Sequence, residues 1–327
     1  MEKQSLRILA NTEYSLWNEF LDTLEYANVF QAVSYLEALK VNGWHYEVVV
    51  NEDPAGSIIS GAIIQLKTLI GNRYAYAAIN YGPLSRNHDS GLEPIIDYLR
   101  QKKCKILDLM LPSGIDINSV KGLKYKHTGN NYTYLLDLLV PYEKIFTNFS
   151  YTHRNCARKG KKEGVEITFS TDQSIISLFL TKYMEMASRK SLKAITPSLM
   201  QAIVSNLLST NNGFFAVASF KEVVYEIAFV STAGKSARYL YGASSKQPKG
   251  TPPIGQYLHE QIIVKLQAEG YSTYDLGGIV SEVVPPEDET YGVWKFKKGF
   301  GGKATTMTAN YRVFLSGGLS RLISPFI

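Results

Sequence analysis

A glycine-rich region near the end of the chain holds the residues best suited to chemistry. Tyr274 to Ile279 reads YDLGGI, and Gly292 to Gly302 reads GVWKFKKGFGG. A Gly-Gly pair directly after a buried-type strand lets a ligand approach the backbone closely. We expect a loop here, with three aromatic side chains packed beneath it: Trp294, Phe296 and Phe300. Three lysines would then lie at its surface: Lys295, Lys297 and Lys298.

A fixed ammonium group beside backbone amides that glycine leaves accessible has a definite use. It can stabilise the oxyanion that forms when an ester or a thioester is attacked. The region therefore predicts acyl-transfer chemistry. The alternative is a glycine-rich turn with solvated lysines.

Two aspartates and a tyrosine occupy the ends of strand-like segments. Asp108 and Asp275 end segments that are equivalent in the two halves of the chain. Either carboxylate could act as the general base for an attacking amine, or could simply cap a turn or form an ion pair. Tyr241 could line the same cleft or pack against a sheet.

A basic stretch lies at the middle of the chain, where Thr152 to Ile167 reads THRNCARKGKKEGVEI. Its cationic side chains precede the first acid, Glu163, and are Arg154, Arg158, Lys159, Lys161 and Lys162. On a helix, Arg154, Arg158 and Lys161 would share one face. Such a face could contact tRNA phosphates or an anionic membrane surface, or could be no more than a solvated face.

The segment Gln247 to Gln256, QPKGTPPIGQ, stands where a coenzyme A-dependent acyltransferase cradles pyrophosphate on backbone amides. Gln247 and Gly250 fit that pattern. Pro252 and Pro253 do not, because proline has no N–H to donate. The segment therefore weakens the prediction of an acyl-CoA donor without excluding it.

Composition excludes several other classes of protein. The chain has 327 residues, enough for two domains, with 45% hydrophobic and 20% charged residues. Its two cysteines and five scattered histidines predict neither a disulfide framework nor a metal site. No stretch resembles a signal peptide or a membrane span, so we expect a cytoplasmic protein. The net charge of +6 mildly favours anionic partners.

The two halves of the chain repeat one order of predicted elements. In the first half these are helices at 15–27 and 31–40, strands at 46–50, 57–68 and 73–81, a helix at 92–102 and a strand at 106–111. In the second half they are helices at 174–187 and 198–209, a hairpin at 213–232, a strand at 237–242, a helix at 255–269 and a strand at 273–276. This order is typical of GNAT acyltransferases, and the alternative is chance similarity between two α/β stretches. We predict an α/β fold with mixed sheets and two tandem GNAT-like domains, 1–146 completed by 312–327, and 147–311.

Three motifs in order give the chain a family resemblance. YLYGAS at Tyr239 to Ser244, YDLGGI and GVWKFKKGFGG together resemble the Fem aminoacyltransferases, and FQAVSYLEALKVNGW at Phe30 to Trp44 is similar to their N-terminal signature. The basic stretch is similar to their segment between the halves. The resemblance implies twin GNAT-like domains without a helical arm. It also implies transfer of an amino acid from aminoacyl-tRNA to an amino group on the stem peptide of a peptidoglycan precursor.

The resemblance also implies roles for individual residues. Lys297 matches the lysine at the reaction centre, and Lys40 matches a lysine that contacts precursor phosphates. Arg189 falls near a second phosphate-binding arginine, although Lys190 stands where the family usually has an acid. Three further residues of the C-terminal motif are predicted to bind substrate: Phe296, Gly299 and Phe300.

The implied co-substrate is aminoacyl-tRNA, with no bound cofactor and no metal. The acceptor would be a nucleotide-linked or lipid-linked precursor, with peripheral contact to the anionic inner membrane surface. One alternative is an acyl-CoA-dependent N-acyltransferase of the same fold acting on a sugar or polysaccharide amine. Another is a non-catalytic tRNA- or envelope-binding protein.

Overall fold

A computed structural model describes residues 6–69, 74–86, 91–190 and 194–316. The chain divides into two compact units, Met1–Asn131 with Thr306–Ile327, and Tyr132–Thr305. The predicted domains have other bounds, 1–146 with 312–327 and 147–311, and this division into domains stays a prediction. Residues 317–327 of the predicted C-terminal tail, and Arg73 of a predicted strand, lie outside the described ranges.

The described chain forms strands and helices in alternation. The strands are β1 (Leu6–Ile8), β2 (His45–Glu52), β3 (Ile58–Leu69), β4 (Tyr74–Ile79), β5 (Leu84–Ser85), β6 (Cys104–Pro112), β7 (Lys124–Asp137), β8 (Glu166–Ser170), β9 (Gly213–Phe220), β10 (Val223–Ala233), β11 (Ser236–Ser244), β12 (Thr273–Ile279) and β13 (Lys303–Phe314). The helices are α1 (Tyr14–Asp22), α2 (Val33–Leu39), α3 (Leu92–Gln101), α4 (Tyr142–Asn148), α5 (Tyr151–Lys162), α6 (Ile175–Arg189), α7 (Pro197–Ser209), α8 (Gly255–Ala268) and α9 (Tyr291–Lys298).

In the first unit, the strands follow the order β1-β2-β3-β4-β6-β13. Strands β4 and β6 are parallel, as expected where helix α3 connects them, and the other pairs are antiparallel. Helix α3 buries one apolar face at i, i+3, i+4 and i+7, made of Leu92, Ile95, Ile96 and Leu99. The core of this unit lies between that face and the sheet.

In the second unit, the strands follow the order β8-β9-β10-β11-β12-β7. Here β11 and β12 are the parallel pair and α8 connects them, while the remaining pairs are antiparallel. Helix α8 buries the four residues that its sequence pattern predicts: Leu258, Ile262, Ile263 and Leu266. They form part of a core with the inner faces of the sheet and with Phe300 of the C-terminal motif.

Each unit thus repeats an antiparallel four-stranded stretch, a helix, a parallel strand and a final antiparallel strand. The predicted mixed α/β fold with two GNAT-like halves is confirmed. In both units the final strand comes from a distant part of the chain, β13 in the first and β7 in the second.

The predicted loop at Gly292 to Gly302 is wrong in part. Tyr291 to Lys298 forms helix α9, and the loop begins only at Gly299. The lysines and aromatic residues of this segment follow a helical period that the neighbouring glycines obscured. Within the described ranges, none of the helices has both the length and the apolar composition that crossing a membrane requires.

Candidate active site

Helix α9 places one lysine inside the second unit and two outside. Trp294 and Lys297 are three residues apart, share the inner face and are buried, whereas Lys295 and Lys298 are exposed. The ammonium group of Lys298 lies 4.5 Å from the centre of the Trp294 ring, on the solvent side. The expectation that Lys297 lies at the surface is therefore wrong, since only 8% of this residue is exposed.

The ammonium group of Lys297 has a defined position next to strand β12. Its Nζ donates a hydrogen bond to the backbone carbonyl of Gly278 at 2.8 Å. Burial lowers the pKa of Lys297 to about 8, with a further lowering by Arg238 that Asp275 opposes. At neutral pH the group is therefore a buried cation with a free energy cost that the Gly278 carbonyl and Asp275 offset in part.

Strand β12 carries a bulge at this point, where its register with β7 shifts between Asp275 and Gly278. The buried Asp275 carboxylate accepts a hydrogen bond from Gly277 N–H at 2.7 Å and forms an ion pair with Arg238. Gly277 has φ +81°, and a Cβ there would lie 2.9 Å from Tyr239 O and 3.2 Å from Lys297 Nζ. The Gly-Gly pair thus allows the close backbone approach predicted from the sequence.

The remaining residues of the C-terminal motif make packing contacts. Phe300 is fully buried and its ring packs edge-on against His153, with centroids 4.7 Å apart. A Cβ on Gly299 would lie 2.0 Å from the His153 ring, so only glycine leaves room for that ring. Phe296 is partly exposed, and its backbone carbonyl lies 2.8 Å from His153 Nε2. Substrate binding by Phe296, Gly299 and Phe300 stays a prediction.

Asp108 lies in the first unit, in the middle of β6, so the expectation that it ends a strand is wrong. Arg312 donates to its two carboxylate oxygens at 2.7 and 2.8 Å, and the Tyr76 hydroxyl donates at 2.6 Å. This is the geometry of a bidentate ion pair. An ion pair is the alternative to a general-base role that the sequence left open for Asp108. Tyr241 lies on β11 in the second unit, half-buried, with its ring against Tyr183. The catalytic roles of Asp108 and Tyr241 stay predictions.

The two residues predicted to bind phosphates lie in different units. Lys40 follows helix α2 in the first unit, is exposed, and forms an ion pair with Glu37 at 2.7 Å. Arg189 ends helix α6 in the second unit, is exposed, and donates to the carbonyl of Ser244 at 2.6 Å. Neither guanidinium nor ammonium is buried, so both are accessible to an anion.

The basic stretch forms helix α5, which has two different faces. His153, Ala157 and Gly160 are buried, and a Cβ on Gly160 would lie 2.7 Å from the carbonyl of Pro253. Four basic side chains are exposed: Arg158, Lys159, Lys161 and Lys162. Arg154 differs from them, because its guanidinium donates to the carbonyls of Thr147 and Phe149 at the end of α4.

Sequence reasoning missed Glu226, a partly buried acid on β10. Among the described residues its carboxyl group has neither a hydrogen bond nor an ion pair. Its Oε2 lies 3.1 Å from the point that a Cβ on Gly255 would occupy, at the first turn of α8. Burial raises the pKa of Glu226 to about 7, and Lys190 opposes that shift. The signal in the sequence was an acid inside the apolar strand VVYEIAFVST.

Sequence reasoning also missed His259, which is fully buried on α8. Its Nδ1 lies 2.9 Å from the hydroxyl of Tyr274, while its Nε2 has no hydrogen-bond partner among the described residues. Burial lowers the pKa of His259 to about 3, and the nearby charges of Lys297 and His153 act in the same direction. The imidazole is therefore neutral and takes part in a ring cluster with Tyr239 and Phe296, at centroid distances of 4.7 and 5.5 Å.

Comparison with known proteins agrees with this architecture. No protein-family model matches the chain. A stretch of 97 residues is 32% identical to the lipid II:glycine glycyltransferase of Staphylococcus aureus. The matched stretch covers 29% of this chain and 22% of that relative's length. The crystal structure of FemX superposes with a TM-score of 0.83 at 16% identity, over 98% of this chain and 99% of that chain. A tandem GNAT protein from the clavulanic acid biosynthesis pathway superposes with a TM-score of 0.52 at 11% identity, over 97% and 100% of the two chains.

These similarities show the fold. The chain has the mixed α/β fold of the Fem family as FemX displays it, which is also that of tandem GNAT proteins. Its sequence has a distant and partial similarity to the glycyltransferase, because the matched stretch covers about a fifth of that relative.

Proposed function

We propose that this chain, with its Fem-family fold, is an aminoacyltransferase that moves an amino acid from aminoacyl-tRNA to an amino group of a peptidoglycan precursor. The observation that carries the proposal is the buried ammonium group of Lys297 beside the glycine bulge of β12. Similarity to FemX over nearly the whole chain supports it.

The chemistry requires a cation where the ester carbonyl becomes an oxyanion. The acceptor amine attacks the carbonyl carbon and forms the C–N bond. The tetrahedral intermediate then collapses by breaking the C–O bond to the tRNA ribose, and the proton that the amine nitrogen loses ends on the ribose oxygen. Lys297 supplies a buried cation, whose interaction with the developing charge is stronger than it would be in bulk water. Since the pKa of Lys297 is lowered only to about 8, the group stays protonated at neutral pH.

Two features next to the first turn of helix α8 favour tRNA over acyl-CoA as the donor. Pro252 and Pro253, just before the helix, have no N–H to offer a pyrophosphate. The Glu226 carboxyl group lies beside Gly255 at the first turn, where it would repel an anion. An aminoacyl-tRNA donor does not need a pyrophosphate-binding loop at that position.

The exposed basic side chains on α5 would contact tRNA phosphates or an anionic membrane surface, and Lys40 and Arg189 would bind the phosphates of the precursor. Each of these side chains is exposed. Arg154, which the sequence also predicted to contact tRNA, donates instead to backbone carbonyls at the end of α4. The reaction would take place in the cytoplasm, where charged tRNA and the precursors occur.

A donor and acceptor matrix tests the proposal. Labelled aminoacyl-tRNA and labelled acetyl-CoA are each offered with a nucleotide-linked muropeptide and with a lipid-linked precursor. Label that moves from tRNA to the stem peptide supports the proposal, and the productive acceptor identifies the substrate. Label that moves only from acetyl-CoA would replace it with the acyl-CoA reaction. Binding of tRNA without transfer to either acceptor would favour a binding protein.

A lysine variant tests the assigned role. Lys297→Met removes the cation and keeps an unbranched side chain, and we expect the transfer rate constant to fall by about 10²-fold or more. Lys298→Met removes an exposed lysine from the same helix and is the matched control. Equal loss in both variants, or none in Lys297→Met, would contradict the role.

A further inference from the structure

The bulge in β12 takes one glycine out of the sheet ladder. Between the paired positions Asp275 and Gly278, β12 has two residues where β7 has one. Gly277 lies there with φ +81° and is buried. Its backbone N–H and C=O groups therefore need hydrogen-bond partners outside the ladder, because a buried backbone group without a partner costs free energy.

Two buried side chains supply those partners. The Asp275 carboxylate accepts a hydrogen bond from Gly277 N–H at 2.7 Å, and the Thr133 hydroxyl lies 2.7 Å from the Gly277 carbonyl oxygen, to which it can donate. The same hydroxyl also lies within hydrogen-bonding distance of Asp275. Thr133 is 1% exposed and Asp275 is fully buried. The two side chains therefore form one buried network around the glycine.

The next residue, Gly278, contacts the proposed reaction centre. Its carbonyl accepts the hydrogen bond from Lys297 Nζ at 2.8 Å. A Cβ on Gly277 would lie 3.2 Å from the same Nζ, so the ammonium group lies directly over the bulge. The conformation of Gly277 sets the direction in which the chain enters Gly278. The groups that hold Gly277 therefore also determine where the ammonium group finds its hydrogen-bond acceptor.

The surroundings of Asp275 do not suit a general base. A general base must come within hydrogen-bonding reach of the proton that it removes. The Asp275 carboxylate has no exposed surface, accepts from Gly277 and forms an ion pair with Arg238. Its contacts are those of a group that holds other groups in place.

We infer that Asp275 and Thr133 are positioning residues, which hold the Gly277 bulge and through it fix the ammonium group of Lys297. The inference rests on the proposed function, in which that ammonium group must lie within hydrogen-bonding distance of the oxyanion. A displacement of about 1 Å at a reaction centre can lower a rate constant by about 10²-fold. The network thus affects the reaction without touching the substrate.

Substitutions at Thr133 test this role without changing any charge. Thr133→Val removes the hydroxyl and keeps the shape, whereas Thr133→Ser keeps the hydroxyl. Glu260→Gln alters a buried acid of α8 that accepts a hydrogen bond from Tyr142, and it is the control for a general loss of stability. We expect kcat to fall by about tenfold in Thr133→Val, with KM nearly unchanged. In the other two variants kcat should stay near that of the unaltered protein.

Asp275→Asn is a second variant of the network. It puts an NH₂ group in place of one acceptor oxygen, so the side chain can no longer accept from both Gly277 and Arg238. We expect kcat to fall by about 10²-fold, again with little change in KM. Unchanged kcat in a folded Asp275→Asn variant would contradict the inference.

The pKa of Lys297 gives a measurement that needs no transfer activity. The pH dependence of acylation by acetic anhydride, followed by mass spectrometry of the Lys297 peptide, has its midpoint at this pKa. Burial is the main cause that lowers the pKa to about 8, so an ammonium group released from the bulge should titrate closer to 10.5. Arg238, Asp275 and the neutral His259 interact electrostatically with Lys297, and Thr133→Val leaves all three in place.

The midpoint should therefore rise in Thr133→Val and stay near 8 in Thr133→Ser and Glu260→Gln. If either kcat or the midpoint in Thr133→Val matches that of the unaltered protein, the inference is wrong. It is also wrong if Glu260→Gln changes both quantities as much as Thr133→Val does. If the unaltered protein transfers no amino acid from tRNA, the proposed function is overturned, whereas a midpoint that rises in Thr133→Val alone still supports the positioning of Lys297.

Discussion

Among single residues, Lys297 has the clearest energetic signature. The pKa of the Lys297 ammonium group is near 10.5 in the unfolded chain and about 8 in the folded protein. Between these values the unfolded state binds more protons, so the free energy of unfolding rises with pH. Below pH 8 the cost of the buried charge is present in full.

The Lys297→Met variant should lack this dependence. We expect the variant to have a higher free energy of unfolding than the unaltered protein at pH 7. This difference should decrease by about 3 kcal/mol as the pH rises from 8 to 10.5, because the unaltered protein gains stability over that range. Thermal unfolding at a series of pH values measures the difference. Lys298→Met is the control for removing an exposed charge. A constant difference across the range would show that Lys297 is not a buried cation in the folded state.

The sequence identified Lys297 because it lies within a motif, but it did not identify Glu226 or His259. Lys297 stands in a run of glycine, aromatic and basic residues whose combination is specific. Glu226 is one acid in an apolar strand, and its neighbours Gly255 and Phe296 approach it only after α8 and α9 have packed on the sheet. Contacts between residues so far apart in the chain leave no local sequence pattern.

At the level of elements, the repeated order of helices and strands was predictable because periodicity is strong in long amphipathic segments. Helix α9 was not, since it is short and lies between glycines. Strands β7 and β13 were also missed. Each completes a sheet formed by a distant part of the chain, so its pairing depends on tertiary contacts.

The bulge in β12 gives a prediction for an element. Gly277→Ala should lower the free energy of unfolding by at least about 1 kcal/mol, because alanine is strained at φ +81°. The added Cβ would also press on Tyr239 O and Lys297 Nζ, so transfer activity should fall as well.

The neighbouring glycine supplies the control. Gly278 has no positive φ and nothing within 4 Å of an added Cβ, so Gly278→Ala should leave stability nearly unchanged. Urea unfolding of both variants compares them directly. Equal midpoints would mean that the bulge does not have the described backbone conformation.

At the scale of the whole molecule, two properties could attract tRNA: the net charge of +6 and the particular surface that the exposed basic residues of α5 form. The logarithm of the binding constant falls linearly with the logarithm of the salt concentration. Each phosphate contact that is lost makes this fall less steep by about 0.7 to 0.9. Neutralising three exposed side chains of α5, in the variant Arg158→Gln, Lys159→Gln and Lys161→Gln, should therefore reduce the slope for tRNA binding by about 2.

A matched variant separates a local surface from total charge. Lys121, Lys124 and Lys126 are exposed lysines of the first unit, and changing all three to Gln removes the same charge. If α5 binds tRNA, this second variant should retain most of the affinity and of the salt dependence, which filter binding at several salt concentrations measures. Equal losses in the two variants would mean that tRNA responds to net charge, because long-range attraction depends on the total while direct contacts depend on position.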